Sequence, residues 1–225
     1  WGKSAAEVKD MVGRILRVMR DAVKNGLEGN VQSIGGLIGN DAAKVHKAEQ
    51  EGRLLGNPLY AKAIAWAMAV NETNAGMGVV AAAPTGGASG TLPGALLAAA
   101  DTLGSPEEEV IAALITAGGM GARVAAQTSL SASVAGCQVE VGVGVGMGAA
   151  AVVQLAGGSP SQCANAMAIG IKAFMGLACD APGGLVEVPC VKRNGIGAAA
   201  ALAAADMALA GVKSQVPLDE VIWAL

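Results

Sequence analysis

The sequence predicts an all-α fold, a compact Ala/Gly-rich helical domain connected by Gly-rich loops, and three observations predict it. Apolar residues recur at helical spacing near the N-terminus, Ala is dense in most other segments, and strand signals are weak. Of the 225 residues, 53% are hydrophobic but only 2% are aromatic. The core must therefore be filled by Ala, Val, Leu, Ile and Met, whose small volumes let helices approach closely. No tandem repeat or linker divides the chain, so residues 1–225 read as one domain.

Taken in order, residues 4 to about 27 place Val8, Met11, Val12, Ile15, Leu16, Met19, Val23 and Leu27 three and four apart, which is one helical face. Ser4 with Glu7 fits a capping box, and Gly26 and Gly29 are expected to close the helix. Ser33–Asn40 is a Gly-rich loop, and Asp41 is placed to cap a helix over Ala42–Leu55. Pro58 begins the next helix, which runs towards Asn74. Pro84–Gly90 is a second Gly-rich loop. Helices are expected over Leu92–Thr102 and Glu107–Ala117, the latter with three acids in its first turn where the helix dipole favours them. Further helices are expected over Gly146–Leu155, Pro160–Leu177, Ala198–Leu209 and from Pro217 onward. Val139–Val145 alternates Val with Glu or Gly, a pattern that admits a short strand. The sequence stops at Trp223-Ala224-Leu225 within a helical pattern, which reads as a chain cut short at its C-terminal end.

Composition excludes several classes. The net charge of −3 offers no basic stripe, and aromatics are too scarce to stack bases, so nucleic acid is not an expected partner. Mean hydropathy is +0.49, and Thr73–Ala100 and Val141–Ile171 carry no charge. Both runs exceed the roughly 20 residues that cross a bilayer. Gly, Pro, Ser, Asn or Gln interrupts each, and no Arg/Lys cluster flanks one side, so buried core helices are expected instead of a membrane. Four cysteines without a secretory leader read as thiols in a reducing, cytoplasmic compartment.

Cys137, Cys179 and Cys190 each adjoin Gly, Pro or polar residues that break regular structure. Such breaks free backbone N–H groups for the sulfurs of a metal cluster. None forms a CxxC pair, which argues against a zinc ribbon or a thioredoxin-type site. Each could equally be a small buried hydrophobe. Cys163 lies inside a helical pattern. The loop Pro84-Thr85-Gly86-Gly87-Ala88-Ser89-Gly90 offers hydroxyls and flexible backbone donors before a helix, a cradle for a carboxylate or simply a helix connection. Gly144–Ala149 fits G-x-G-x-x-A but lacks the acid about 20 residues on that a dinucleotide site needs. His46, the single histidine, lies in a highly charged helix. An enzyme built this way would depend on a cofactor for its electrophile.

Four blocks in order carry a resemblance: Asn71–Gly78, Ala83–Gly90, Gly136–Gly142 and Gly184–Asn194, with a fifth match over Ala204–Gly211. Over nearly its whole length the chain resembles the α subunit, or catalytic domain, of the iron–sulfur-dependent L-serine dehydratases, which convert L-serine to pyruvate and ammonia. The resemblance implies an all-helical catalytic domain whose Gly-rich loops shape the active site, with Cys137, Cys179 and Cys190 ligating a [4Fe-4S] cluster and Cys163 left out. Three thiolates would leave one iron open to act as a Lewis acid towards the serine hydroxyl.

The same resemblance implies a serine pocket at the loops. Thr85, Gly86, Gly87 and Ser89 are expected at the substrate carboxylate and Asn74 beside them. Ser33 and Asp41 come from the first loop, Asp41 facing the substrate ammonium. Lys192, Glu140 and Glu72 remain open as the base. The first loop of the family tends to read Gly-Gly-Asp-Ala, whereas this chain has Gly39-Asn40-Asp41-Ala42. A regulatory β subunit or domain, absent from residues 1–225, and an oligomeric assembly are further expectations. Alternatives are a related cluster-dependent lyase acting on L-cysteine and an inactive helical fragment.

Overall fold

The computed structural model describes residues 2–225. Nine α-helices are present among them: α1 (Ala5–Leu27), α2 (Asp41–Gln50), α3 (Pro58–Ala75), α4 (Thr91–Leu103), α5 (Glu107–Ala125), α6 (Ala132–Leu155), α7 (Pro160–Lys172), α8 (Cys190–Leu209) and α9 (Leu218–Trp223). A single 3-10 turn, Pro182–Gly184, precedes α8. The all-α expectation holds. Among the described residues the only β-type pairing is an isolated bridge between Gln32 and Gly39 within the first Gly-rich loop.

Two hub helices organise the packing. α3 is surrounded by α1, α2, α4 and α8, and α6 by α4, α5, α7 and α8, so that α4 and α8 join the two halves. Small side chains make this possible. Ala61, Ala63, Ala65, Ala67 and Ala69 of α3 are all buried, and a helix buried on every side needs no apolar stripe. α4 meets α3 so closely that a Cβ at Gly90 would overlap the Ala67 carbonyl. The packing sets the glycine there.

The Ser4/Glu7 capping box at α1 forms as read from the sequence. Gly26, expected to end α1, instead lies buried inside it, and Glu28 is the C-cap. α2 ends at Gln50, short of Leu55, and α7 at Lys172, short of Leu177, while α5 continues to Ala125 and α8 begins at Cys190. The strand admitted over Val139–Val145 is helix, part of α6. The alternation there has a different cause. Gly142 faces Ile171 and Phe174, Gly144 faces Ala83, Ala88 and Thr91, and Gly146 faces Met167. The glycines admit neighbours around the whole circumference, so Val and Gly alternate without marking two faces of a sheet. α6 is long and apolar enough to cross a membrane, but 83% of its most apolar stretch is buried inside the fold, as a core helix would be.

Candidate active site

Cys137, Cys179 and Cys190 come from three separate segments and line one cavity of about 390 Å³. Cys137 follows a break in α6, where Gly136 adopts φ 77° and ψ 173°, a conformation essentially restricted to glycine. The break is held by Gln138, whose N–H donates to the Leu177 carbonyl at 2.8 Å and whose Oε1 accepts from Gly176 N–H at 2.8 Å. Cys190 is the first residue of α8. Cys179 is exposed on the loop between α7 and α8. Arg193, one turn into α8, fastens that loop. Its guanidinium donates to the Ala178 carbonyl at 3.0 Å and pairs with Asp180 at 2.9 Å.

The thiols lie within electrostatic reach of one another. Burial pushes the Cys137 thiol up, Cys179 pushes it further, and Arg193 opposes both. Burial, then Cys137, Glu140 and Cys179, push Cys190 up to about 11, again against Arg193. Among the described residues no three His, Cys, Asp or Glu side chains close around a single ion-sized point. The three thiols instead border an open volume, and such a soft donor set suits an iron–sulfur group. Cys163 is buried in α7 and has no part in this cavity.

Glu140 lines the same cavity, one turn beyond Cys137. The second Gly-rich loop presses against it: a Cβ at Gly87 would overlap Glu140 Oε1. Asn74 adjoins Gly86, its Oδ1 lying 3.4 Å from where a Cβ would stand. Thr85 Oγ1 accepts from Ala88 N–H at 3.4 Å, and the buried Ser89 hydroxyl has no partner among the described residues. The loop is anchored from behind. The Gly87 carbonyl accepts from Asn194 Nδ2 at 2.8 Å and from Asn71 Nδ2 at 3.2 Å.

The first Gly-rich loop is committed elsewhere. It wraps the buried carboxylate of Glu187, which accepts from Ser33 Oγ at 2.6 Å, from Leu37 N–H at 3.2 Å and from Gly35 N–H. The Ser33 hydroxyl, followed by the two N–H donors, holds the Glu187 carboxyl below the usual glutamate range despite opposition from burial. Ser33 thus contacts an internal anion. Asp41, expected to cap α2, is instead its first residue, and its carboxylate pairs with Lys192 at 2.6 Å and Lys44 at 2.8 Å. The hydrogen bonds from Lys192 and then Lys44 hold the Asp41 carboxyl down.

The N-terminus of α2 is closed by Glu72 from α3, whose Oε1 accepts from Asp41 N–H at 2.8 Å and Ala42 N–H at 3.2 Å. Its Oε2 is buried without a partner. Burial pushes the Glu72 carboxyl up, against those two N–H donors. Asn40, where the first loop departs from Gly-Gly-Asp-Ala, has φ 62°. Asn tolerates that left-handed conformation better than most side chains. Of the three base candidates, Glu140 borders the thiol cavity, whereas Glu72 and Lys192 belong to this α2 cluster.

A family model described as "Serine dehydratase alpha chain" matches residues 1–225. The chain belongs to the serine dehydratase alpha chain family. It is 48% identical over 223 residues to a Bacillus subtilis protein named "Probable L-serine dehydratase, alpha chain", covering 99% of this chain and 74% of that one. It is 35% identical to the L-serine dehydratase alpha chain of Peptoniphilus asaccharolyticus, covering 97% and 75%. It is 40% identical to an L-serine dehydratase of Streptomyces coelicolor, covering 96% of this chain but 48% of that longer one.

Four residues of this serine dehydratase alpha chain family member gain structural roles that sequence reading did not assign: Asn71, Glu187, Arg193 and Asn194. Asn194 lies four residues after Cys190, one helical turn away. That spacing was a usable signal. Glu187 gave none, because its partners lie about 150 residues earlier.

Proposed function

We propose that this chain is the catalytic alpha chain of an L-serine dehydratase, and that Cys137, Cys179 and Cys190 hold a [4Fe-4S] cluster at the cavity they line. The observation that carries the proposal is the convergence of three thiols from three segments on one cavity that also presents Glu140. Membership in a family with relatives named L-serine dehydratase supplies the substrate. Bound through three thiolates, the cluster supplies an iron with an open position, a Lewis acid that makes hydroxide a tolerable leaving group.

The chain's own residues handle the rest of the substrate. Glu140 takes the α-proton onto its carboxylate, since it stands on the cavity while Glu72 closes α2 and Lys192 holds Asp41. The 85–89 loop, through its backbone donors and the Thr85 and Ser89 hydroxyls, receives the substrate carboxylate, with Asn74 alongside. Arg193 places a positive charge near the thiols and fastens the Cys179 loop through Ala178 and Asp180. The released aminoacrylate tautomerises and hydrolyses in water to pyruvate and ammonia. The alpha-chain names of the relatives support a beta chain as partner.

Anaerobic reconstitution with iron and sulfide tests the proposal. Visible cluster absorbance and pyruvate formation from L-serine are expected. Replacing any one of Cys137, Cys179 or Cys190 with Ser should abolish the absorbance, and C163S should keep it. A C163S protein without a cluster, or a C190S protein that retains one unchanged, would show the ligand set to be wrong.

A further inference from the structure

We infer that Asn194 is a positioning residue: its buried amide couples the Cys190 end of α8 to the second Gly-rich loop and so sets Gly87 against Glu140. The inference rests on the proposed role of this cavity and adds a residue to it. Asn194 is fully buried, and both ends of its amide are used. Oδ1 accepts from Gly90 N–H at 3.1 Å, Thr91 N–H at 3.0 Å and Thr91 Oγ1 at 3.0 Å, closing the N-terminus of α4. Nδ2 donates to the Cys190 carbonyl at 2.9 Å and the Gly87 carbonyl at 2.8 Å.

One planar amide therefore fixes three things together: the first turn of α8 that carries a cavity thiol, the start of α4, and the loop between α3 and α4. Gly87 is the point of the loop that touches the Glu140 carboxylate. Glu140 lines the cavity with Cys190. A displacement of Gly87 is thus passed directly to the carboxylate and to the neighbouring donors of the loop. Asn71 adds a second, longer hydrogen bond to the same carbonyl from α3. No other side chain among the described residues bonds to Cys190 and to the loop at once. An aspartate in this place keeps the acceptor end but presents oxygen to the two carbonyls, so Asn194→Asp separates capping α4 from holding the loop.

The test compares N194D with Thr91→Val, which removes one bond from the acceptor end and none from the loop. The first readout is amide hydrogen exchange of residues 85–89 in the metal-free protein, with no dependence on turnover. N194D should speed exchange at Ala88 and Ser89 at least tenfold, and T91V should leave it unchanged. The second readout is steady-state kinetics of the reconstituted enzyme. A loop moved by a fraction of an ångström lowers kcat by roughly 100-fold, as misplacement of reacting groups does, while T91V stays near wild type.

If N194D does not fold, Asn194→Ser, which is too short to reach both the Cys190 and the Gly87 carbonyls, takes its place and should show the same exchange effect. Unchanged exchange in N194D, or in N194S where that variant stands in, would overturn the inference. Equal kinetic losses in N194D and T91V would also overturn it, because both would then report only a weakened α4. If the wild-type protein forms no pyruvate, the functional reading fails, and the exchange comparison still decides the role of Asn194.

Discussion

Glu72 keeps one carboxylate oxygen occupied and the other idle, and this asymmetry sets how its charge affects stability. Oε1 closes α2 while Oε2 is buried without a partner. Burial raises its folded-state pKa. The folded protein therefore holds the proton more tightly than the unfolded chain, and wild type loses stability as pH rises from the unfolded value towards the folded one. Glu72→Gln keeps the accepting oxygen and removes the charge. It is expected to be more stable than wild type at pH 7, because the charge that burial disfavours is gone. That advantage should disappear as pH falls below the ordinary glutamate range. Denaturant melts at several pH values check this, and a difference that does not vary with pH would contradict it. Glu187 has the opposite sign. Its depressed pKa contributes stability above the unfolded value that is lost as pH falls through the folded one. Two buried glutamates of one chain thus have their pKa values displaced in opposite directions, because one is fully hydrogen-bonded and the other is not.

At the scale of elements, α6 combines a buried span with a single break. Gly136 turns the chain so that Cys137 enters the cavity while Val139 onward continues as core helix. Any Cβ at that φ and ψ costs roughly 1–3 kcal/mol. Gly136→Ala should therefore lower the melting temperature and also weaken cluster retention under mild chelation. Retention equal to wild type would mean that the break does not position Cys137. The break also shows what local sequence signals carry. Gly136 before Cys137 was visible as an interruption, yet Val139–Val145 read as strand-like because period alone cannot tell a half-buried sheet from a helix enclosed on all sides. A helix start is legible in the sequence where its cap is local, as at Ser4 and Glu7. The start of α2 is not, because its cap comes from Glu72 on a different helix. The three cavity cysteines and Glu140 can be singled out from motif blocks alone, whereas commitment of Ser33 to Glu187 depends on a contact 154 residues long.

For the whole molecule, the cavity joins an exposed loop to the core: Cys179 is exposed, whereas Cys137 belongs to the apolar core. The Cys179 loop is exposed, whereas α3, α4, α6 and most of α8 are packed into a continuous apolar core. Removing a bound cluster by chelation should leave far-UV circular dichroism nearly unchanged and speed proteolysis between residues 176 and 187 first. A global loss of helix would show that the cluster is a folding nucleus. The two-hub packing has a separate energetic consequence. α3 and α6 both pack against α4 and α8 and not extensively on each other, so perturbations in the two hubs can couple only through those two shared helices. Val70→Ala in α3 and Val153→Ala in α6 should each destabilise the fold, and the double variant should lose their sum within about 0.5 kcal/mol, as independent sites do. Such additivity would let substitutions accumulate in one half of the molecule without changing what the other half tolerates.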